Sequence, residues 1–115
     1  MKKYVPQQGD IIKLDFNPSK GHEQKGYRPA VIVSNRLLNK NCPFLWVVPI
    51  THGQWEFPTH VALDKRTKTD GQVYVEQLLM IDCQQRTFSF VEKLPEDILE
   101  EILLDIQELS KRLTA

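Results

Sequence analysis

The segment Gly21-His22-Glu23-Gln24-Lys25-Gly26-Tyr27-Arg28-Pro29 brings an imidazole, a carboxylate and a guanidinium together within nine residues. Glycines at 21 and 26 let the backbone fold back on itself, and Pro29 is expected to end the loop just before the apolar run Ala30-Val31-Ile32-Val33-Ser34. Arg28 is thereby expected at the mouth of a strand. A guanidinium offers a planar fork of donors and keeps its charge at neutral pH, which suits an anionic ligand such as a phosphate. The competing reading is a surface arginine paired with a carboxylate such as Glu23. Glu23 has the chemistry of a general base or of an acceptor for a nucleotide base edge, and equally that of a solvated loop carboxylate. His22 titrates in the right range for acid–base work and is as readily an exposed loop histidine.

Other candidates are scattered. Thr51 follows Val47-Val48-Pro49-Ile50 at a strand end, where its hydroxyl could meet a phosphate, although threonine there is commonly a turn residue. Trp55 shares a polar loop with Gln54 and Phe57 and presents a face that can stack on single-stranded RNA or contact a partner, whereas Trp46 reads as core. Tyr74 either stacks on a base or packs within its strand. His52 and His60 form no metal spacing with each other or with Cys42 and Cys83, which argues against zinc, and no cofactor motif is present. Two cysteines outside any CxxC pair read as reduced thiols in a cytosolic protein, with a structural bridge between them as the alternative.

The elements that must position these groups are short. A chain of 115 residues has room for one domain, 1–115, and one core. No apolar run approaches the roughly 20 residues needed to span a bilayer, and the N-terminus leads into polar sequence, so a cytoplasmic protein is expected. The formal net charge is zero, which argues against a protein that coats nucleic acid by bulk electrostatics. Its distribution is uneven. Residues 1–91 carry 12 Lys/Arg against 8 Asp/Glu, and residues 92–115 carry 3 against 7, giving +4 and −4. Lys13, Lys20, Lys25, Arg28, Lys65, Arg66, Lys68 and Arg86 could form a phosphate track if the fold puts them on one face.

Strands are expected at Gly9 to Phe16, Ala30 to Ser34, Phe44 to Ile50, Thr59 to Leu63, Gln72 to Val75, Leu78 to Ile81 and Thr87 to Val91, with a helical turn or loop at Leu37 to Asn41. Several short strands separated by turn residues such as Thr69-Asp70-Gly71 indicate an antiparallel barrel or curled sheet of about residues 4–91. Ile98, Ile102, Ile106, Leu109 and Leu113 then recur at helical spacing, with Glu and Asp on the other face, predicting an amphipathic helix over about 95–113 that closes the barrel. Pro95 in its first turn and Lys111-Arg112 in its last agree with the helix dipole.

Several blocks in order resemble one family. Tyr4-Val5-Pro6, Gly9-Asp10-Ile11, Asp15-Phe16-Asn17-Pro18, Gly21-His22-Glu23-Gln24, Arg28-Pro29-Ala30-Val31, Val48-Pro49-Ile50-Thr51, Pro58-Thr59-His60-Val61 and Val75-Glu76-Gln77-Leu78 with Ile81-Asp82 resemble the MazF/PemK-like toxins, small endoribonucleases of bacterial toxin–antitoxin pairs. The resemblance runs from Tyr4 to the final helix. It implies a mainly β fold, a small SH3-like antiparallel β-barrel with a C-terminal helix. It implies metal-independent, sequence-specific cleavage of single-stranded RNA or mRNA by the substrate's own 2′-hydroxyl, leaving a cyclic phosphate and a 5′-hydroxyl. Arg28 and Thr51 fall at the family's two most characteristic active-site positions, with Glu23 as a third catalytic candidate. His22, Gln24, Trp55, Tyr74, Glu76 and Gln77 are the candidate substrate-binding residues. Tyr74 departs from the pattern, standing where some relatives carry a catalytic arginine, which leaves Arg28 as the main charge stabiliser. The implied partners are a second copy of the chain, as a homodimer, and a separate antitoxin whose disordered acidic segment suits the basic body. Two alternatives share the fold: a non-enzymatic toxin that poisons DNA gyrase, and an RNA-binding module without cleavage.

Overall fold

Strand β3 (Phe44–Thr51) is the most apolar strand of the chain and lies at the centre of the sheet, with Leu45, Val47, Val48, Pro49 and Ile50 all buried. The computed structural model describes residues 4–17, 21 and 26–114. Around β3 are arranged β1 (Asp10–Asp15), β2 (Tyr27–Ile32), β4 (His60–Ala62), β5 (Gln72–Tyr74), β6 (Leu79–Asp82) and β7 (Phe88–Lys93). A short helix α1 (Arg36–Asn41) precedes β3 and a longer one, α2 (Glu96–Ser110), ends the chain. All pairings are antiparallel, in the order β4-β5-β3-β2-β1-β7 with β6 also on β3. The sheet is barrel-like but open, since β4 and β7 terminate the path without pairing to each other.

One edge of β3 is shared by two strands. β6 pairs with Phe44 to Val47 and β5 with Ile50 and Thr51, and the 3₁₀ turn Val75–Gln77 connects them. Pro49, which has no N–H to donate, falls in the gap between the two ladders. The same gap forces the chain out of strand geometry at Val75–Gln77 and fixes where Glu76 emerges.

The sheet forms two apolar clusters: on one face its own Ile12, Leu14, Ala30, Ile32, Leu45, Val47 and Ile81 pack together with Phe16, and on the other it packs against α2. On the second face Ile98, Leu99 and Ile102 pack with Ile11, Val31, Val48, Val61, Val73 and Val75. The helix therefore covers the sheet as expected, but its stripe packs only as far as Ile106, with Leu103 and Ile106 partly buried against the cluster. It ends at Ser110, Leu109 is 46% exposed and Leu113 is 77% exposed, because the sheet beneath does not extend that far. Lys111 and Arg112 lie beyond the last helical residue, and Lys111 pairs with Glu108 at the surface (2.6 Å).

β2 also departs from the sequence reading. It starts at Tyr27 and ends at Ile32, so Arg28 and Pro29 lie inside a strand, opposite Leu14 and Lys13 of β1. The proline is accommodated because the ladder to β3 begins only at Ala30. Arg66 is removed from the proposed phosphate track, since its guanidinium spans Asp64 and Asp97, at 2.8 Å from each. Its hydrogen bonds draw the Asp64 carboxyl down to about 2 and lower that of Asp97. Arg86 is likewise occupied, donating to the backbone carbonyls of Asp15 and Asn17 at the base of the loop after β1.

The N-terminal segment is fastened by one buried carboxylate. Asp10, 1% exposed, accepts from Tyr4 Oη (2.6 Å), Gln7 N–H (3.0 Å) and Lys93 Nζ (2.7 Å). Burial, the hydrogen bond to Asp10 and the charge of that carboxylate all push the Tyr4 phenol far above its ordinary value. A phenol whose folded value is raised binds its proton more tightly than the unfolded chain does. Its contribution is intact below about pH 10 and is lost as pH rises above that. Stability of the wild type should fall above about pH 10 more steeply than that of Tyr4→Phe, measured by urea midpoints at pH 8 to 11. Equal slopes would remove Tyr4 as the alkaline trigger.

Candidate active site

Side chains of directly paired residues in antiparallel strands share a face, and residues two apart along a strand share it as well. Gln72 pairs with Thr51, Tyr74 lies two residues on, and His60 pairs with Tyr74. Ala30 pairs with Pro49, and two residues outward from that last ladder pair stand Arg28 and Thr51 on neighbouring strands. Arg28, Thr51, Tyr74 and His60 therefore occupy one face at one end of the sheet, opposite to the face covered by α2. Arg28 is exposed and Thr51 is half-buried, so an incoming anion can reach both.

Two glycines let the chain close around Thr51. Gly71 adopts φ +117°, and a Cβ there would sit 2.8 Å from the Thr51 carbonyl oxygen. Gly53 donates its N–H to Thr51 Oγ1 (3.2 Å), and a Cβ on Gly53 would lie 2.6 Å from Tyr74 Oη. The threonine hydroxyl is thus held by a tight turn, whose fit depends on residue 53 having no side chain.

Beneath that turn is a buried aromatic stack. The Tyr74 and His60 rings lie parallel, with centroids 3.7 Å apart and planes 5° apart. Tyr74 is 4% exposed and its hydroxyl donates to the Trp55 carbonyl oxygen (3.2 Å). His60 Nε2 lies 2.7 Å from Glu76 Oε2, with the imidazole 3% and the carboxylate 15% exposed. A carboxylate only accepts, so the contact places a proton on Nε2. The other ring nitrogen, Nδ1, is buried with no partner among the described residues, a cost of about 1–3 kcal/mol that the charge-assisted bond and the ring stack offset. Thr59 Oγ1 approaches the other carboxylate oxygen at 3.5 Å. Trp55 meets the His60 ring edge-on at 5.2 Å and stacks with Phe57 at 5.5 Å, while its indole remains 55% exposed.

The predicted residues separate accordingly. Arg28 and Thr51 share one face, Tyr74 lies against the turn after Thr51, and Glu76 is joined to that turn only through His60 and Tyr74. Trp55 stands at the rim with a face open to solvent. Gln77 follows Glu76 on the 3₁₀ turn, partly exposed. His22, Glu23 and Gln24 lie outside the described residues. Tyr74 is a packing tyrosine here, since one ring face is covered by His60 and its hydroxyl is engaged by the Trp55 backbone. His52 pairs with Asp70 at the surface (3.1 Å). The residue that sequence reasoning misses is His60, which reads as lying outside any metal spacing and within the block Pro58-Thr59-His60-Val61, with no role of its own. Its role depends on pairing across β4 and β5, and no spacing within the chain announces a partner 16 residues away.

Chemically, this end of the sheet offers a permanent cation and a hydroxyl fixed by a backbone N–H, on a surface flanked by an exposed indole. Such a set can bind a phosphodiester, stabilise added negative charge on it and stack a neighbouring base.

The profile of the PemK-like, MazF-like toxins of type II toxin–antitoxin systems matches residues 7–110. The chain is 36% identical over 86 residues to the endoribonuclease toxin MazF of Escherichia coli K12, covering 75% of this chain and 77% of that one. It is 35% identical over 106 residues to the endoribonuclease PemK of Escherichia coli, covering 89% and 80%. Among solved structures, MazF of Deinococcus radiodurans superposes with a TM-score of 0.85 at 29% identity, over 93% of this chain and 97% of that one. MazF in a MazE–MazF complex from the same organism gives 0.80 at 26%, over 92% and 96%. The chain belongs to the PemK-like, MazF-like toxin family of type II toxin–antitoxin systems.

Proposed function

We propose that this chain, an endoribonuclease toxin by its family, cleaves single-stranded RNA through attack of the substrate's 2′-hydroxyl on the adjacent phosphorus. What supports the reading is the register, which puts Arg28 and Thr51 on one face, each two residues beyond the last β2–β3 ladder pair. The attacking oxygen is already part of the substrate, so the protein has only to orient the phosphate, stabilise its added charge and move protons. Arg28 binds the phosphoryl oxygens through its donor fork and Thr51 Oγ1 donates to the same group. Attack forms the 2′,3′-cyclic phosphate and expels the 5′-oxygen, which takes up a proton and leaves as a 5′-hydroxyl. Glu23 is the proposed base. Trp55 stacks a base, with Gln77, His22 and Gln24 contributing to recognition of the strand.

The toxin acts in the cytoplasm as a homodimer and is silenced by a cognate antitoxin. Support for the antitoxin comes from the MazE–MazF complex of Deinococcus radiodurans, and for an acidic partner segment from the +4 charge of residues 1–91. The relatives at 35–36% identity are named endoribonucleases, which favours cleavage over gyrase poisoning.

The test is incubation of the purified protein with a long single-stranded RNA in the presence of EDTA, followed by mapping of cut sites and end groups. Discrete cuts bearing a cyclic phosphate and a 5′-hydroxyl are expected. Intact RNA across varied sequences would overturn the reading in favour of a protein-binding toxin.

A further inference from the structure

Tyr74 is buried and engaged both on one ring face and at its hydroxyl. Following its contacts in both directions gives a continuous path. Behind it, the parallel stack on His60 fixes the plane of its ring, and His60 is itself fixed by the 2.7 Å bond to Glu76 on the 3₁₀ turn. Ahead of it, Oη donates to the Trp55 carbonyl oxygen. The same Oη occupies the space that a side chain on Gly53 would need, next to the N–H that Gly53 donates to Thr51 Oγ1. We infer that Tyr74, locked by the buried His60–Glu76 pair, is a positioning residue for Thr51, setting the 51–55 turn so that the threonine hydroxyl faces the substrate phosphate.

The inference rests on the reading of Thr51 as a group that contacts that phosphate. The physical reason is that a hydroxyl at the free end of a strand has no ladder beyond it to define its direction. Here the turn that follows is pinned from below at a backbone carbonyl, and a rigid ring held on one face and at its tip can move neither sideways nor down. Removing the pin leaves the fold, whose apolar core lies elsewhere, but lets the hydroxyl swing away from its productive position.

Gly53→Ala forces Tyr74 Oη aside, whereas Tyr74→Phe removes the atom in the way. The next Tyr74 atom, Cζ, would be an ordinary 3.5 Å from the new Cβ. The two substitutions are therefore coupled in a way that a general loss of stability would not produce. RNA cleavage is measured for wild type, each single variant and the double variant, with kcat and KM separated and thermal melts alongside. Gly53→Ala should lower kcat about 10-fold or more at little change in KM, and Tyr74→Phe should lower it severalfold. In the Tyr74→Phe background Gly53→Ala should cost less than about 2-fold. Equal cost in both backgrounds would overturn the inference. His60→Phe, which keeps a ring against Tyr74, should retain more kcat than His60→Ala, and wild-type kcat in a folded His60→Ala protein would also overturn it. Trp55 emission in a Trp46→Phe background reports the turn without substrate. The emission should shift in Gly53→Ala and return towards the Tyr74→Phe spectrum in the double variant, even if the wild type were to cleave no RNA.

Discussion

Arg28→Ala should lower kcat/KM for RNA cleavage on the order of 100–1000-fold while leaving the fold in place, as removal of a single preorganised charge stabiliser does in other active sites. The size follows from what the side chain is asked to do. In the transition state the phosphorane carries more negative charge than the diester, and a guanidinium that cannot deprotonate meets that charge with two aligned donors. The fold should tolerate the change because Arg28 is exposed near the start of β2, opposite Leu14 of β1, so no buried side chain is removed. Arg28→Lys keeps the charge but loses the fork, and should fall between wild type and alanine. Cleavage of a short fluorogenic oligonucleotide, with far-UV circular dichroism of each variant, decides the matter. Wild-type rates for Arg28→Ala would remove this residue from the mechanism.

Ile102→Ala should be among the most destabilising single changes in the molecule, at about 3 kcal/mol and a fall in Tm of roughly 10 °C. Ile102 is fully buried where α2 meets the face formed by Val61, Val73 and Val75, so truncation removes transfer energy and leaves a cavity that a clamped helix cannot collapse into. The helix is clamped at its start by Asp97, which Arg66 ties to the loop before β5. Leu109→Ala is the matched control. It belongs to the same heptad-like stripe in sequence, yet 46% exposure predicts a change within about 0.5 kcal/mol. Urea or thermal unfolding of the pair distinguishes a stripe that is packed throughout from one packed only at its start, and similar losses for both would contradict the observed docking.

Much of the architecture was legible because periodicity is a local property. The apolar positions Ile11, Ile12 and Leu14 among charged neighbours, the apolar run through β3 and the spacing of Ile98 and Ile102 each report side chains that must be covered, and each was covered. Boundaries were less legible. Pro29 reads as a strand breaker, yet β2 runs through it, because the ladder on its β3 side starts only one residue later. Leu113 fits the stripe perfectly well as sequence and is exposed, because only the extent of the sheet decides how much of a helix it covers.

The same division holds at the site. By itself the sequence determined which residue types were available: a permanent cation at 28, a hydroxyl at 51, an indole at 55, and the ordered blocks that identify the family. It could not determine that His60 serves Glu76 and Tyr74, or that Arg66 and Arg86 are consumed by Asp64, Asp97 and backbone carbonyls. Those facts depend on which strands become neighbours. A hydrogen bond or ring stack requires atoms within about 4 Å, and residues 16 or 31 positions apart reach that distance only after the sheet has paired and the helix has docked.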